Sequence, residues 1–247
     1  MTQEIFEITE NRPIARGIHR MRLRGNTEAM SAQGQFVNIR LEGRFLRRPI
    51  SVCCYDADSI TLIYKIAGGG TRQLSEIRAG EKLDLLVGLG NGFDTSKSGP
   101  APLLIGGGVG AAPLYGLCRE LVSQGRCVTV ALGFNSADEV YYADEFAAAG
   151  ALVCLATVDG SAGVRGFVTD AMAGLDYSYF YACGPMPMLE AVNAAVSTDG
   201  QFSFEERMGC GFGACMGCSH KTLTGSKRIC KDGPVLERGE ILWPTHE

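Results

Sequence analysis

No run of about 18 apolar residues occurs in the 247-residue sequence, and without one a chain has no candidate helix for crossing a bilayer. Basic residues are in the minority. Lys and Arg number 23 against 27 Asp and Glu, for a net charge of −4, and no stretch forms the basic patch that a nucleic-acid surface requires. The opening residues MTQEIFEITENRP are polar and acidic and do not resemble a secretory signal. These absences point away from membrane and nucleic-acid partners. The remaining totals, 46% hydrophobic, 20% charged and a mean hydropathy of +0.06, are those of an ordinary globular chain of one large or two modest domains.

Cysteine is plentiful, with ten in the chain. Six of them (Cys53, Cys54, Cys118, Cys127, Cys154 and Cys183) are scattered through segments that read as strand or helix. Such scatter suits a reducing, cytoplasmic setting rather than a disulfide framework. The other four follow one another as Cys210-x4-Cys215-x2-Cys218-x11-Cys230. That spacing is the plant-type pattern in which four thiolates hold a [2Fe–2S] cluster. Three ligands within nine residues force the chain to wrap tightly around one inorganic core, and Gly209, Gly211, Gly213 and Gly217 permit it. Zinc is the competing ligand, but structural zinc sites favour paired C-x2-C knuckles or Cys/His sets, and only one C-x2-C is present. Chance clustering of core cysteines fits poorly with so many glycines. His220 stands two residues beyond Cys218 as the only histidine of the loop, and a Rieske centre needs two; it reads as a surface or supporting residue.

From residue 1 to about 97 the sequence predicts short strands at 4–9, 18–24, 35–41, 50–55, 59–66 and 82–88, separated by turn residues. This regular spacing predicts a small antiparallel barrel or sandwich. One helix is expected at 70–77 with Thr71 as its N-cap. The run of glycines leading into it forms an anion site, because free N–H groups and the helix dipole both favour phosphate. Arg48 can add a bidentate partner for a diphosphate. Equally, those glycines can simply make a turn and Arg48 can cap a surface strand.

A linker at 97–102 holds two prolines. Strands at 103–106, 127–134, 152–157 and 179–183 then alternate with helices at 113–124, 142–149, 168–173 and 186–196. This order predicts parallel crossovers and an open sheet with ligands at the carboxyl ends of its strands. The loop Gly106-Gly107-Gly108-Val109-Gly110-Ala111-Ala112-Pro113 approaches the dinucleotide fingerprint but ends in proline, and Phe134-Asn135-Ser136 stands where that fingerprint wants an acid. The second glycine turn, Cys183-Gly184-Pro185, makes the first meaningful, since two such turns at neighbouring strand ends can grip one extended nucleotide. Ser136, Asp138 and Glu139, with no arginine among them, favour NADH over NADPH.

In this order the motifs resemble the ferredoxin-reductase flavoproteins, and with the terminal cysteines the whole chain resembles the electron-transfer subunits of type B dihydroorotate dehydrogenase. The resemblance implies an FAD-binding barrel at 1–97, an NAD-binding α/β domain at 98–200 and a cluster-binding subdomain at 201–247. It implies FAD contacts from Arg48, Pro49, Ile50 and Ser51, from Ile63, Tyr64 and Lys65, and from Gly70 and Thr71. Nicotinamide contacts would come from Gly106, Gly107, Gly108, Gly110, Pro113, Gly184 and Pro185, with Cys183 at the nicotinamide–flavin contact, and cluster ligation from Cys210, Cys215, Cys218 and Cys230. The chain would relay electrons from NADH to an FMN-bearing catalytic subunit in a heterotetramer of two copies of each, serving pyrimidine biosynthesis. Cofactors carry such chemistry, so no general acid or base is expected. The run Ser219-His220-Lys221 departs from the apolar residues expected there. A subunit serving a hydrogenase or a ferredoxin:NADP oxidoreductase is the alternative, and a zinc-stabilised binding module without enzymatic activity is the remote one.

Overall fold

The computed structural model describes residues 1–243. Six strands close an antiparallel barrel in the order β1-β2-β5-β4-β3-β6. They are β1 (Thr2–Ala15), β2 (Ile18–Arg24), β3 (Phe36–Ile39), β4 (Arg48–Tyr55), β5 (Ser59–Lys65) and β6 (Lys82–Leu89). Alternation drives the closure. In β6 every second residue of KLDLLVGL is buried; Leu83, Leu85 and Val87 pack with Phe6, Ile8, Met21, Leu23 and Val37 inside the barrel, while Leu89 faces the core shared with the sheet. Helix α1 (Gly69–Glu76) bridges β5 and β6. Its N-cap is Gly68, not Thr71. Thr71 lies one turn in, and its hydroxyl accepts from the N–H groups of Ala67 (2.9 Å) and Gly68 (3.2 Å). The threonine still satisfies free donors at the helix start, but from inside the first turn.

The second half alternates β7 (Pro102–Gly107), α2 (Ala112–Ser123), β8 (Thr129–Phe134), α3 (Ala143–Ala148), β9 (Leu152–Thr157), β10 (Val164–Arg165), α4 (Val168–Ala171), β11 (Tyr179–Cys183), α5 (Met186–Ala195) and β12 (Gly200–Ser203). After β13 (Ser219–Thr222), β14 (Gly225–Arg228) and α6 (Ile229–Asp232), strand β15 (Val235–Glu237) returns to the sheet. The sheet order is β10-β9-β8-β7-β11-β12-β15, parallel except for the last pairing. The central strands β7 and β11 are buried along their whole length, as strands covered on both faces must be. The strand order reverses between β7 and β11, so the crevice at their carboxyl ends lies at the switch point where such sheets bind ligands.

The expected boundary at 200 falls at the start of β12. Both β12 and β15 belong to the α/β sheet, so the segment carrying the four cysteines leaves this sheet and comes back to it. Cys218 and Cys230 share a core with Phe36 and Leu89 of the barrel and with Phe180 and Phe202 of the sheet.

Candidate active site and cluster centre

One cleft of about 260 Å³ gathers residues from all three parts of the chain. Its barrel wall is Phe36, Pro49, Ile50, Ser51, Ile63, Tyr64 and Lys65. The opposite wall is Val109 and Pro113 from the glycine loop, and the floor is the segment Phe204 to Met208 that leads from β12 towards the cysteines, with Pro234. Tyr64 contributes its ring only, because its hydroxyl turns away and donates to Asn11 Oδ1 at 2.9 Å. Arg48, Gly70 and Thr71 stand beyond the edge of the cleft at the start of α1. A Cβ on Gly70 would lie 2.2 Å from Arg48 Nε, so the guanidinium rests directly on the helix start. Arg44 joins it there, 3.0 Å from a Cβ built on Gly69. Two guanidiniums over free helical N–H groups fit a diphosphate, and the apolar cleft beside them fits a flat ring system.

The two glycine turns touch. A Cβ on Gly110 would meet the Cys183 carbonyl oxygen at 2.4 Å and Gly184 Cα at 2.7 Å, and one on Gly107 would strike Met188 Sδ at 2.1 Å. Glycine is required here for close approach rather than for a turn. Gly106 and Gly107 end β7, while Gly108 and Gly110 form a tight 3₁₀ turn ahead of α2, whose first turn holds Pro113. Gly184 and Pro185 lead into α5. Cys183 lies between Gly106 and Ser203 in the sheet register and is 2% exposed. Burial, with the Glu205 carboxylate nearby, pushes its thiol far above the ordinary range and keeps it protonated. It is therefore no nucleophile.

Glu205 was not legible from the sequence. It opens to solvent through the cleft yet is walled by protein, and this burial raises its carboxyl above the usual carboxylate range. Arg16 was also missed. Its Nε lies 2.7 Å from Asp138 Oδ2, and its Nη2 lies 3.0 Å from both Glu139 Oε1 and Ser136 Oγ. The expectation of no arginine at this corner is corrected: the barrel supplies one, from 120 residues away in sequence. Asp138 and Glu139 between them neutralise it.

The cysteines stand as two pairs. The N–H groups of Ala214 and Cys215 point at Cys210 Sγ (3.2 and 3.5 Å), that of Cys210 at Cys215 Sγ (3.4 Å), and that of Cys230 at Cys218 Sγ (3.4 Å). Burial raises the Cys210 thiol, but backbone donors from Phe212, Cys215 and Ala214 outweigh it and hold the group at about 6. Burial and the Cys218 sulfur push Cys230 up to about 12. Among the described residues no three His, Cys, Asp or Glu converge as a single ion would require. Two pairs of thiols suit two bridged irons, each holding two thiolates, and the donors around Cys210 would offset negative charge on its sulfur. The loop is braced from outside: Asn38 Nδ2 donates to the Cys210 carbonyl (3.0 Å) and Arg228 Nη1 to that of Gly213 (2.9 Å). His220 packs its ring on Phe204 at 4.9 Å and faces Glu206.

Comparison with known proteins agrees with this layout. Residues 205–242 match the iron-sulfur cluster binding domain of dihydroorotate dehydrogenase B, and residues 104–194 match the oxidoreductase NAD-binding domain. The electron transfer subunit of dihydroorotate dehydrogenase B (NAD(+)) from Geobacillus sp. (strain WCH70) is 44% identical over 98% of this chain and 99% of that protein. The chain belongs to this family of electron-transfer subunits. The Fusobacterium nucleatum subunit is 42% identical, again over 98% of this chain and 99% of that protein. Among solved structures, one from work on the NADH-dependent reduced ferredoxin–NADP oxidoreductase superposes with a TM-score of 0.87 at 28% identity, covering 96% of this chain and 90% of that one. The flavohem-like FAD/NAD binding domain of nitric oxide dioxygenase from Vibrio cholerae shares the fold, with a TM-score of 0.68 at 22% identity over 78% of this chain and 91% of that one. The family's cluster domain thus begins at Glu205, on the floor of the cleft, and its nucleotide domain contains both glycine turns.

Proposed function

We propose that the chain takes electrons from NADH and passes them, through FAD and a [2Fe–2S] cluster, to the FMN of a catalytic dihydroorotate dehydrogenase subunit, in a cytoplasmic heterotetramer serving pyrimidine synthesis. The observation that carries this is the single cleft shared by the barrel, the glycine loop and the segment entering the cluster loop. Held there, FAD would supply both two-electron and one-electron redox chemistry, and a [2Fe–2S] cluster held by the four cysteines would supply one-electron carriage. The protein's part is placement. Arg44, Arg48 and the start of α1 would hold the diphosphate, and Pro49, Ile50, Ser51, Ile63, Tyr64 and Lys65 would hold the ring system. The paired turns at Gly106–Gly110 and Cys183–Pro185 would hold the nicotinamide against it. Cys183, neutral and buried, acts as a positioning residue, and no proton donor is needed for hydride transfer. Cys210 with Cys215, and Cys218 with Cys230, would each hold one iron. In this reading residues 1–97, 98–200 and 201–247 are the flavin, nucleotide and cluster parts, the last laced into the second.

The cytoplasmic setting rests on the six cysteines outside the cluster loop, none of them in a disulfide, and among the described residues no helix is long and apolar enough to cross a membrane. The test is an absorption spectrum of the anaerobically purified complex before and after NADH. Flavin and iron bands that both bleach, with dihydroorotate oxidised by the copurified FMN chain, are the expected result. Flavin without iron, or equal turnover with NADPH, would overturn the cluster and the NADH assignments respectively. A ferredoxin:NADP oxidoreductase subunit is the second reading, favoured by the 0.87 superposition; the sequence of the copurifying chain decides between them.

A further inference from the structure

Large apolar side chains are exposed on the cluster loop and on the barrel. Phe212 and Met216 are about half exposed beside the cysteines. Met216 is displayed at a backbone cost: its φ is +60°, a left-handed conformation unfavourable for a side chain of this kind. The carbonyl of Met216 accepts from Ser219 Oγ at 2.8 Å, which holds the display in place. The cluster loop also rests on the barrel. Asn38 donates to Cys210, and the Asn38 carbonyl accepts from Arg47 Nη1 at 3.3 Å. Arg47 in turn pairs with Asp84 at 2.8 Å, and Asp84 faces Ile5 across β6 and β1. Two residues before Arg47, Phe45 is fully exposed; Leu46 is 43% and Ile5 58% exposed. These contacts tie the cluster loop to the outer face of β3, β6 and β1, which carries Ile5 among Arg40, Arg47 and Asp84, and Phe45 and Leu46 stand in the β3–β4 loop that leads to Arg47. A patch of this kind, apolar with a polar rim, marks a protein contact.

We propose that the catalytic subunit's footprint runs off the cluster loop and across this barrel face, with Phe45 as its apolar anchor. The proposal rests on the functional reading above, which supplies the partner. The cluster must lie at that contact to deliver electrons, and the hydrogen-bonded chain from Cys210 through Asn38 and Arg47 to Asp84 joins this face to it. Phe45 has the character of an interface anchor, a large aromatic group that gains most from being covered.

The test is binding of the cofactor-loaded chain to the FMN-containing catalytic subunit, followed by calorimetry and sedimentation. Phe45→Asp is expected to weaken association about tenfold or more, and Ile5→Asp to weaken it less, with flavin content, iron content and NADH-driven ferricyanide reduction unchanged. Leu152→Asp, equally exposed on β9 near the other edge of the sheet, is expected to bind as wild type. Wild-type affinity in Phe45→Asp, or loss confined to Phe212 and Met216 variants, would overturn the extended footprint. A wild-type chain that reduces ferricyanide but does not bind the catalytic subunit would overturn the functional reading, and the footprint with it.

Discussion

Gly110→Ala tests the contact on which the nicotinamide assignment depends. The added Cβ would lie 2.4 Å from the Cys183 carbonyl oxygen, 2.6 Å from its carbon and 2.7 Å from Gly184 Cα. All three are backbone atoms, so no side chain can rotate aside. Ordinary contact begins at 3.4 Å, and the two turns must therefore part by about 1 Å. Overpacking of this kind costs about 1–3 kcal/mol, and each kcal/mol lowers the melting temperature by about 2–4 °C in a chain of this size. The functional effect should be larger, since a misplacement of about 1 Å between reacting groups costs about 100-fold in rate. The assay is rapid mixing of NADH with the loaded protein, following flavin bleaching, after flavin and iron contents have been matched to wild type. Gly239→Ala is the control, because a Cβ there meets nothing within 4 Å. An unchanged rate of flavin reduction in Gly110→Ala would show that the two turns do not hold the nicotinamide.

Cys230→Ser removes half of the Cys218–Cys230 pair; iron by metal analysis should fall while flavin and NADH-dependent flavin bleaching persist. Cys54 lines a separate cavity of about 370 Å³ with Arg22, Arg24 and Arg119, and hydrogen bonding from Cys53, outweighing burial, lowers it to about 6. Cys54 is itself 8% exposed, against 2% or less for Cys53, Cys118 and Cys183, so iodoacetamide at neutral pH should label Cys54 before those three, as read by peptide mass spectrometry. Glu205 carries a raised pKa, so between its unfolded and folded values the native state holds more protons and stability falls as pH rises. Glu205→Gln should remove that slope from denaturation midpoints measured upward from the ordinary carboxylate range. Arg16→Ala breaks contacts that are largely open to water, with Arg16 59% and Asp138 58% exposed. It should cost no more than about 1 kcal/mol, and less in high salt, in paired melting curves.

What the sequence revealed was local. Alternation along β6, the glycines before α2 and the spacing of four cysteines are each complete within a dozen residues or so, apart from the more distant Cys230. What it concealed depends on chain closure. Arg16 meets Ser136, and Asn38 meets Cys210 across 172 residues; no periodicity announces either. Glu205 resembles any surface acid until the barrel and the glycine loop form the cleft that it lines. Thr71 was placed correctly at a helix start but given the wrong position, because a glycine can begin a helix when the hydroxyl one turn later reaches back. The short strands β12 and β15 carry too few residues to show a period.

The return of β15 to the sheet bears on how the metal centre is built. Residues 204–234 leave from one strand and re-enter through its neighbour, so the cysteine-bearing segment is a loop closed by the sheet itself. Asn91 doubles the closure by exchanging hydrogen bonds with Val235 at 2.7 and 3.0 Å. A loop whose ends are fixed has already lost much of its wandering before iron arrives. Moreover, β15 follows Cys230 in the chain, and during synthesis the amino-terminal parts fold first. The clasp can close only after every thiol has left the ribosome, so the order of translation itself keeps the four ligands accessible until all of them are present.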